Sequence, residues 1–105
     1  MDSKKEIYEI EFTEDCREEI DEIYEYISEK LVAENSAKKL MRKMRNAVMD
    51  LSESPNLHIK IKKKNKLKRE YRRIVIDNFV VLYTVEESSK KVYIAHMYYG
   101  RRNYL

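Results

Sequence analysis

The sequence predicts an α+β fold in which an N-terminal strand and an antiparallel helical hairpin precede three further strands, in the order β-α-α-β-β-β. The hairpin packs on one face of a mostly antiparallel sheet. Apolar residues recur at helical spacing between residues 16 and 51, and at strand spacing in three runs, 71–76, 79–85 and 92–99. Only two and six residues separate those runs, which allows hairpins and excludes crossover helices.

The bulk composition favours one domain spanning residues 1–105, with 43% hydrophobic residues for a modest core. The single cysteine, Cys16, excludes an intramolecular disulfide framework, and no cysteine cluster indicates zinc. No apolar run approaches membrane-spanning length, and the N-terminus lacks the apolar segment of a signal peptide. We therefore expect a cytoplasmic protein without a membrane partner.

The first strand and helix are predicted from two different periods. Residues 5–12 alternate, which places Tyr8, Ile10 and Phe12 toward the core. Thr13 follows as an N-cap candidate, with acidic residues in the first turn that suit the helix dipole. The other acidic residues of this helix are interpreted as its solvated face. The apolar stripe of the helix advances by four, three, four and four residues: Cys16, Ile20, Ile23, Ile27 and Leu31.

The second helix is predicted to follow a break at residues 34–36, which can supply its cap. It should end near Glu53, because Pro55 disfavours helical backbone at the residue before it. The short link between the two stripes predicts an antiparallel helical hairpin on one face of the sheet. The stripe of the second helix, with core packing as the ordinary role of its methionines, is Ala37, Leu40, Met41, Met44, Val48 and Leu51.

The C-terminal strands begin after residues 57–62, which alternate and predict a short strand or an extended lead-in. Asp77 and Asn78 form a turn pair that tolerates positive φ. The central run is apolar on both faces, so we expect helices on one side and another cover, such as a partner chain, on the other. On the last strand His96 alternates in phase with Val92, Ile94 and Tyr98, where a packed histidine with one hydrogen bond is the more common role.

Charge divides the chain into an acidic and a basic part. Residues 1–35 carry a net charge of −9 and residues 36–105 a net charge of +12. Residues 60–73 alone contain nine basic side chains and one acid. This run predicts a phosphate-binding surface, with a solvated lysine-rich loop as the ordinary alternative. The candidate nucleic-acid-binding residues are Lys62, Lys63, Lys64, Lys66, Lys68, Arg69 and Tyr99.

The C-terminal tail places two arginines among three tyrosines, in the run YYGRRNY. That combination favours phosphate contact together with base stacking. The alternative is that the tyrosines close the open end of the core. With the arginines at the start of the sheet, the tail suggests an anionic ligand.

The segments YRRIVIDNFVVLY and VYIAHMYYGRRNY, in this order of elements, resemble the RelE/ParE family of bacterial type II toxins. The resemblance covers almost the whole chain. It implies a toxin that is held inactive by a cognate antitoxin encoded beside it. The C-terminal segment of such an antitoxin wraps the toxin and covers apolar or basic surface.

The family divides by target. The RelE-like branch consists of mRNA interferases, RNA-binding endoribonucleases that inhibit translation by cleaving mRNA in the ribosomal A site. The ParE-like branch poisons DNA gyrase without a comparable nuclease constellation. RNA cleavage by 2′-hydroxyl attack needs a base, an acid and cations, but no metal or cofactor, because the nucleophile belongs to the substrate. By position, the resemblance implies catalytic or phosphate-clamping roles for Arg72 or Arg73, for Arg101 or Arg102, and for Tyr104.

The sequence also departs from the nuclease pattern. Nuclease members often carry an arginine three residues before the tyrosine that ends the third strand, where this chain has Val80. The tail holds no histidine, and His96 lies inside the preceding strand. These departures favour the ParE-like branch, whereas the lysine-rich run favours the ribosome. Sequence analysis thus favours ribosome-dependent mRNA cleavage, keeps gyrase poisoning and a harmless RNA-binding module as alternatives, and leaves open whether the protein is an enzyme.

Overall fold

The computed structural model describes residues 7–30, 34–58, 60–61 and 70–99. Within these ranges the order of elements is β-α-α-β-β-β, as the sequence predicts. A π-helical turn, Tyr26–Lys30, continues the first helix. The elements are β1 (Glu9–Phe12), α1 (Glu14–Glu25), α2 (Glu34–Asp50), β2 (Arg72–Ile76), β3 (Phe79–Glu86) and β4 (Lys91–Tyr99).

The four strands form one sheet in the order β1-β4-β3-β2. The β2–β3 and β3–β4 pairs are antiparallel, and Asp77 and Lys90, in their short turns, have positive φ. Strand β1 pairs in parallel with β4. A parallel pair needs a long connection, and here α1 and α2 provide part of it before β2 begins. The prediction of a mostly antiparallel sheet with β3 inside it is confirmed.

Strand β1 leads directly into α1 through the predicted cap. Tyr8 is buried, and Ile10 and Phe12 pack against the core as expected. The Thr13 hydroxyl accepts a hydrogen bond from the Cys16 amide at 3.1 Å and donates to the Ala95 carbonyl at 2.8 Å. One side chain therefore caps the helix and ties it to β4. Residues 5 and 6 of the predicted strand lie outside the described ranges.

Helix α2 begins earlier than expected. Asn35 and Ser36 lie within its first turn instead of preceding it, and both are exposed, where their weak helix propensity costs little. The helix ends at Asp50, and hydrogen bonds such as Ser54 N–H to the Asp50 carbonyl continue the chain as turns toward Pro55. The predicted apolar stripe packs inward: Ala37, Leu40, Met44, Val48 and Leu51 are buried, and Met41 is partly buried.

Both faces of β3 are covered by this chain. Phe79, Val81 and Tyr83 point into the main core beneath the helices. On the other face Val80 and Leu82 belong to a second, smaller buried cluster with Tyr71 and Ala95, against which Ile61 and Tyr98 pack. The described residues thus bury the second face without the partner chain that the sequence suggested.

One expectation for β4 is wrong. Leu82 pairs with His96 and Tyr83 pairs with Ile94, so Ala95 is an extra residue that forms a β-bulge. The bulge reverses the alternation, so that Val92 and Ile94 belong to the main core whereas His96 lies with Tyr98 on the opposite face. The four residues therefore do not share one face.

The segment before β2 matches the lead-in alternative within the described residues. Lys60 makes an isolated antiparallel bridge with Arg72, and the Ile61 amide donates to the Tyr71 carbonyl at 2.8 Å. His58 is partly buried, with its ring edge-on to Tyr83 at 6.2 Å between centroids. The segment therefore rests beside β2 and does not extend the sheet there.

Candidate functional site

The side of the sheet that faces away from the helices, here called the open face, carries two cross-strand rows. Arg73, Leu82 and His96 form the first row, because Arg73 pairs with Leu82 and Leu82 pairs with His96. Val75, Val80 and Tyr98 form the second row by the same register. With strands about 4.8 Å apart, the Cα atoms of the first and last residue of a row are about 10 Å apart.

The centre of the open face is apolar. Leu82 is fully buried and Val80 is 8% exposed. Arg73 and His96 flank this centre and are both partly buried. The open face therefore offers polar groups at two margins, with a closed hydrocarbon surface between them.

His96 is fixed by a carboxylate from α1. The Nδ1 atom of His96 lies 3.2 Å from Oε2 of Glu19, and the Met97 amide donates to Oε1 of Glu19 at 3.0 Å. The His96 and Glu19 side chains are only 28% and 25% exposed. A carboxylate only accepts hydrogen bonds, so Nδ1 of His96 is the donor in this contact. The His96 ring also stacks on Tyr98 at 5.3 Å.

Arg72 serves a different part of the molecule. Its Nη1 donates to the His58 carbonyl at 2.7 Å and to the Asn56 carbonyl at 3.3 Å, which holds the loop after α2 against β2. Nearby, the buried Tyr83 hydroxyl donates to the Pro55 carbonyl at 2.7 Å. Burial raises the pKa of Tyr83 to about 12, against the opposing effect of the Arg72 charge. This guanidinium is a structural clamp on the loop.

A second network joins β1, the same loop and the β3–β4 turn. The Tyr8 hydroxyl donates to Glu87 at 2.6 Å, and the Asn56 side chain donates to the same carboxylate at 3.3 Å. The hydrogen bond from Tyr8 is the main reason that the pKa of Glu87 is lowered. The same contact raises the pKa of Tyr8. Lys90 lies over the Tyr8 ring at 5.3 Å.

Tyr99 ends β4 on the helix side of the sheet, where it pairs with Phe79. Its ring is 5.0 Å from that of Phe79 and 6.4 Å from that of Tyr26, measured between centroids. These three rings, with Ile23 and Glu22, line a cleft of about 260 Å³, here called the aromatic cleft. Tyr26 and Tyr99 are each about half exposed at its mouth.

A larger apolar groove lies between the helices beside β4. Its volume is about 300 Å³, and Arg45 is the charged residue in its lining. Met49, which lies off the predicted stripe, is 43% exposed there. The other residues that line this apolar groove are Phe12, Ile20, Met41, Met44, Val48 and Met97.

The structure separates the predicted site residues that it describes. Arg73 lies on the open face, Arg72 is engaged with the loop, and Tyr99 lies in the aromatic cleft. The remaining predicted residues lie outside the described ranges, so their roles stay predictions. They are Lys62, Lys63, Lys64, Lys66, Lys68, Arg69, Arg101, Arg102 and Tyr104.

Sequence reasoning assigned Glu19 to the solvated face of α1, and so missed its contact with His96. A signal was present, because Glu19 follows Cys16 by three residues and precedes Ile23 by four, positions that share a helix face. In the described part of the chain no three His, Cys, Asp or Glu side chains converge to hold a metal ion. None of the helices described is both long and apolar enough to span a bilayer.

Comparisons with known proteins agree on the fold. Residues 10–104 match the family model described as the ParE toxin of the type II toxin-antitoxin system, parDE. The chromosomal ParDE system of P. aeruginosa superposes with a TM-score of 0.72 at 15% identity, covering 91% of this chain and 99% of the other. No curated protein sequence matches significantly.

Two RelE-type structures are also similar. The RelBE2 complex of Mycobacterium tuberculosis gives a TM-score of 0.63 at 15% identity, over 89% of this chain and 98% of the other. The isolated E. coli RelE toxin gives 0.59 at 12% identity, over 91% and 87%. Similarity at these identities supports the shared fold.

Proposed function

Because the chain belongs to the ParE toxin family of type II toxin–antitoxin systems, we propose that this toxin arrests growth by poisoning DNA gyrase through contact alone. Its partners are then a cognate antitoxin and gyrase. The observation that carries the choice of target is the apolar centre of the open face. Val80, which stands where nuclease members often carry an arginine, is buried in the cluster around Leu82.

The arginine on strand β2 nearest to the loop adds to this argument. A phosphate clamp requires a guanidinium whose donors can turn to the substrate, whereas Arg72 donates to two backbone carbonyls. Releasing it would leave those carbonyls without their partner. The ParE match and the highest of the three reported TM-scores, that of the ParDE system, point in the same direction.

Ribosome-dependent mRNA cleavage remains the second candidate, because one observation favours it. His96 is oriented by Glu19 in the manner of a general base, and Arg73 lies in the same cross-strand row. The Cα atoms of His96 and Arg73 lie about 10 Å apart, so the two side chains could hold a phosphodiester between them. The basic run at residues 60–73 would then grip RNA.

A paired assay separates the two targets. Purified toxin is added to gyrase with relaxed plasmid, and separately to a translation reaction whose mRNA 5′ ends are mapped by primer extension. We expect loss of supercoiling and gyrase-dependent linear DNA, with mRNA intact. Codon-phased mRNA cuts with normal supercoiling would instead establish the nuclease.

Variants sharpen this test. His96→Asn and Arg73→Ala should leave gyrase inhibition within about threefold of the parent if the toxin acts by contact, but should reduce mRNA cleavage by about a hundredfold or more if it is a nuclease. Glu18→Gln is the control, because Glu18 is exposed on α1. A large loss of gyrase inhibition in Glu18→Gln would mean that the assay reports damage to the fold.

For the antitoxin we propose the apolar groove as a contact. It is lined almost entirely by hydrocarbon and sulfur, and partly exposed methionines adapt well to an inserted side chain. Met49→Glu should weaken neutralisation of the toxin by its antitoxin at least about tenfold. Ile7→Glu, at a more exposed apolar position outside the groove, should not.

A further inference from the structure

The aromatic cleft joins two features that favour a cation. The faces of Tyr26, Phe79 and Tyr99 are electron-rich, and a positive charge within about 6 Å of such faces is attracted to them. Glu22 adds a full negative charge at the rim. Its carboxylate makes no ion pair with any residue in the described ranges. The cleft therefore sets an exposed carboxylate beside two half-exposed tyrosine rings.

The charges around the aromatic cleft disfavour nucleic-acid binding, which is the role that the sequence predicts for Tyr99. Helix α1 carries seven acidic residues and one basic residue, Arg17. Glu18, Asp21 and Glu25 are exposed on the same helix as Glu22. Their field would repel a phosphate backbone that brought a base to Tyr99 and would attract a guanidinium or ammonium group.

The cleft also neighbours the apolar groove along two elements, α1 and β4. Ile20 lines the groove and Ile23 lines the cleft, about 4.5 Å farther along α1. Met97 lines the groove and Tyr99 the cleft, about 7 Å farther along β4. Both steps run in the same direction along the chain. A segment that fills the groove and continues past Met97 would therefore reach the cleft.

We propose that the aromatic cleft binds an arginine or lysine side chain of the antitoxin, next to the apolar residues that enter the groove. Two residues of extended chain, or three to four of helix, span the step between the sites. The inference rests on the antitoxin contact proposed above and is independent of the toxin's target. It also predicts opposite charge preferences at the two sites: the cleft favours a basic residue of the antitoxin, whereas Arg45 in the groove favours an acidic one.

The test is a titration of the isotopically labelled full chain with N-acetylargininamide. Binding is measured from the shifts of the aromatic NMR resonances of Tyr26, Phe79 and Tyr99. N-acetylcitrullinamide, which has nearly the same shape without charge, is the control ligand. We expect saturable shifts with the arginine compound alone. Glu22→Gln should weaken this binding by about two- to fivefold, and the matched variant Glu18→Gln should not.

Three results would overturn the proposal. Equal binding of the citrulline compound would show that charge is irrelevant to the cleft. Stronger shifts with adenosine monophosphate would assign Tyr99 to base stacking. Shifts of the same resonances in the ligand-free variant Arg101→Gln/Arg102→Gln would make the chain's own tail the occupant. The gyrase and Met49→Glu assays do not depend on these outcomes. If the cleft does not bind a cationic side chain, the proposed function is still tested by those assays alone.

Discussion

Tyr83 contributes both to the core and to the position of the loop that follows α2. Its ring is fully buried and its hydroxyl donates to the Pro55 carbonyl. Tyr83→Phe keeps the ring and removes the donor, which leaves a buried carbonyl without a partner. We expect a loss of about 1–2 kcal/mol in the free energy of unfolding, measured by urea denaturation.

Tyr93→Phe is the matched control for that substitution. Tyr93 lies on the neighbouring strand, is partly buried, and its hydroxyl has no hydrogen-bond partner among the residues described. This variant should stay within about 0.5 kcal/mol of the parent. An equal loss in both variants would mean that removing a tyrosine hydroxyl lowers the stability whether or not it is hydrogen-bonded, so the bond to Pro55 would not be the cause.

Glu87 gives a prediction with a defined sign in pH. Its pKa is lowered in the folded chain, mainly by the Tyr8 hydroxyl, from an ordinary value of 4.5. The stabilisation is therefore present above that value and is lost as the pH falls through the lower pKa of the folded state. The urea midpoints of the parent and of Glu87→Gln should differ at pH 7 and converge as the pH falls through the lowered pKa of Glu87.

Exposed carboxylates without this network provide the comparison. Glu25→Gln removes such a group from α1 and is measured over the same pH range. If Glu87→Gln and Glu25→Gln show the same pH dependence, the Tyr8–Glu87 contact does not contribute to stability. Tyr8→Phe should reproduce the convergence, because it removes the donor from the same pair.

Phase along a strand decides which of two adjacent arginines faces which side of the sheet. Arg72 is in phase with Ile74 and Ile76, which point into the main core, and Arg73 is in phase with Val75. The sequence therefore contains the distinction between these arginines. The sequence does not show which groups Arg72 contacts, because it is the path of the loop that brings the carbonyls of Asn56 and His58 to its guanidinium.

Strand β4 shows why an element can be located from sequence while its faces are assigned wrongly. Its ends were predicted within one residue, since a run of β-branched and aromatic residues is a local signal. Its bulge depends on partners far along the chain: Thr13 donates to the Ala95 carbonyl, and β1 pairs with β4 only as far as Ile94. The residues of β4 that belong to the main core, Val92, Ile94 and Met97, are unevenly spaced, and this spacing is a local trace of the bulge.

Beyond the end of β1, the edge of β4 is covered by α1 through Glu19. Glu19→Ala removes the acceptor for the Met97 amide and for His96, and we expect it to lower the free energy of unfolding by about 1–2 kcal/mol. Glu19→Gln retains an oxygen acceptor and should lose less. Hydrogen exchange at the Met97 amide is the local measurement, and it should accelerate in Glu19→Ala. Unchanged exchange would mean that the helix covers this edge without the carboxylate.

At the scale of the whole molecule, the acidic and the basic part of the chain suit different partners: the acidic part suits a cationic group and the basic part suits nucleic acid. The acidic α1 borders the aromatic cleft, and the basic run lies at residues 60–73. Both proposed targets contain nucleic acid, gyrase through its bound DNA and the ribosome through its RNA. The basic run should therefore set the salt dependence of binding in both cases.

Replacing Lys62, Lys63 and Lys64 with glutamine should thus reduce the slope of log affinity against log salt for a DNA duplex by up to about 2.7, at about 0.9 per lost phosphate contact. Fluorescence anisotropy at several salt concentrations measures it. The control replaces Lys39, Arg42 and Lys43, three exposed basic residues of α2, and so makes the same change in net charge. If both triple variants change the slope equally, the chain binds by its net charge. A change confined to the first variant requires that phosphates contact the lysine-rich run itself.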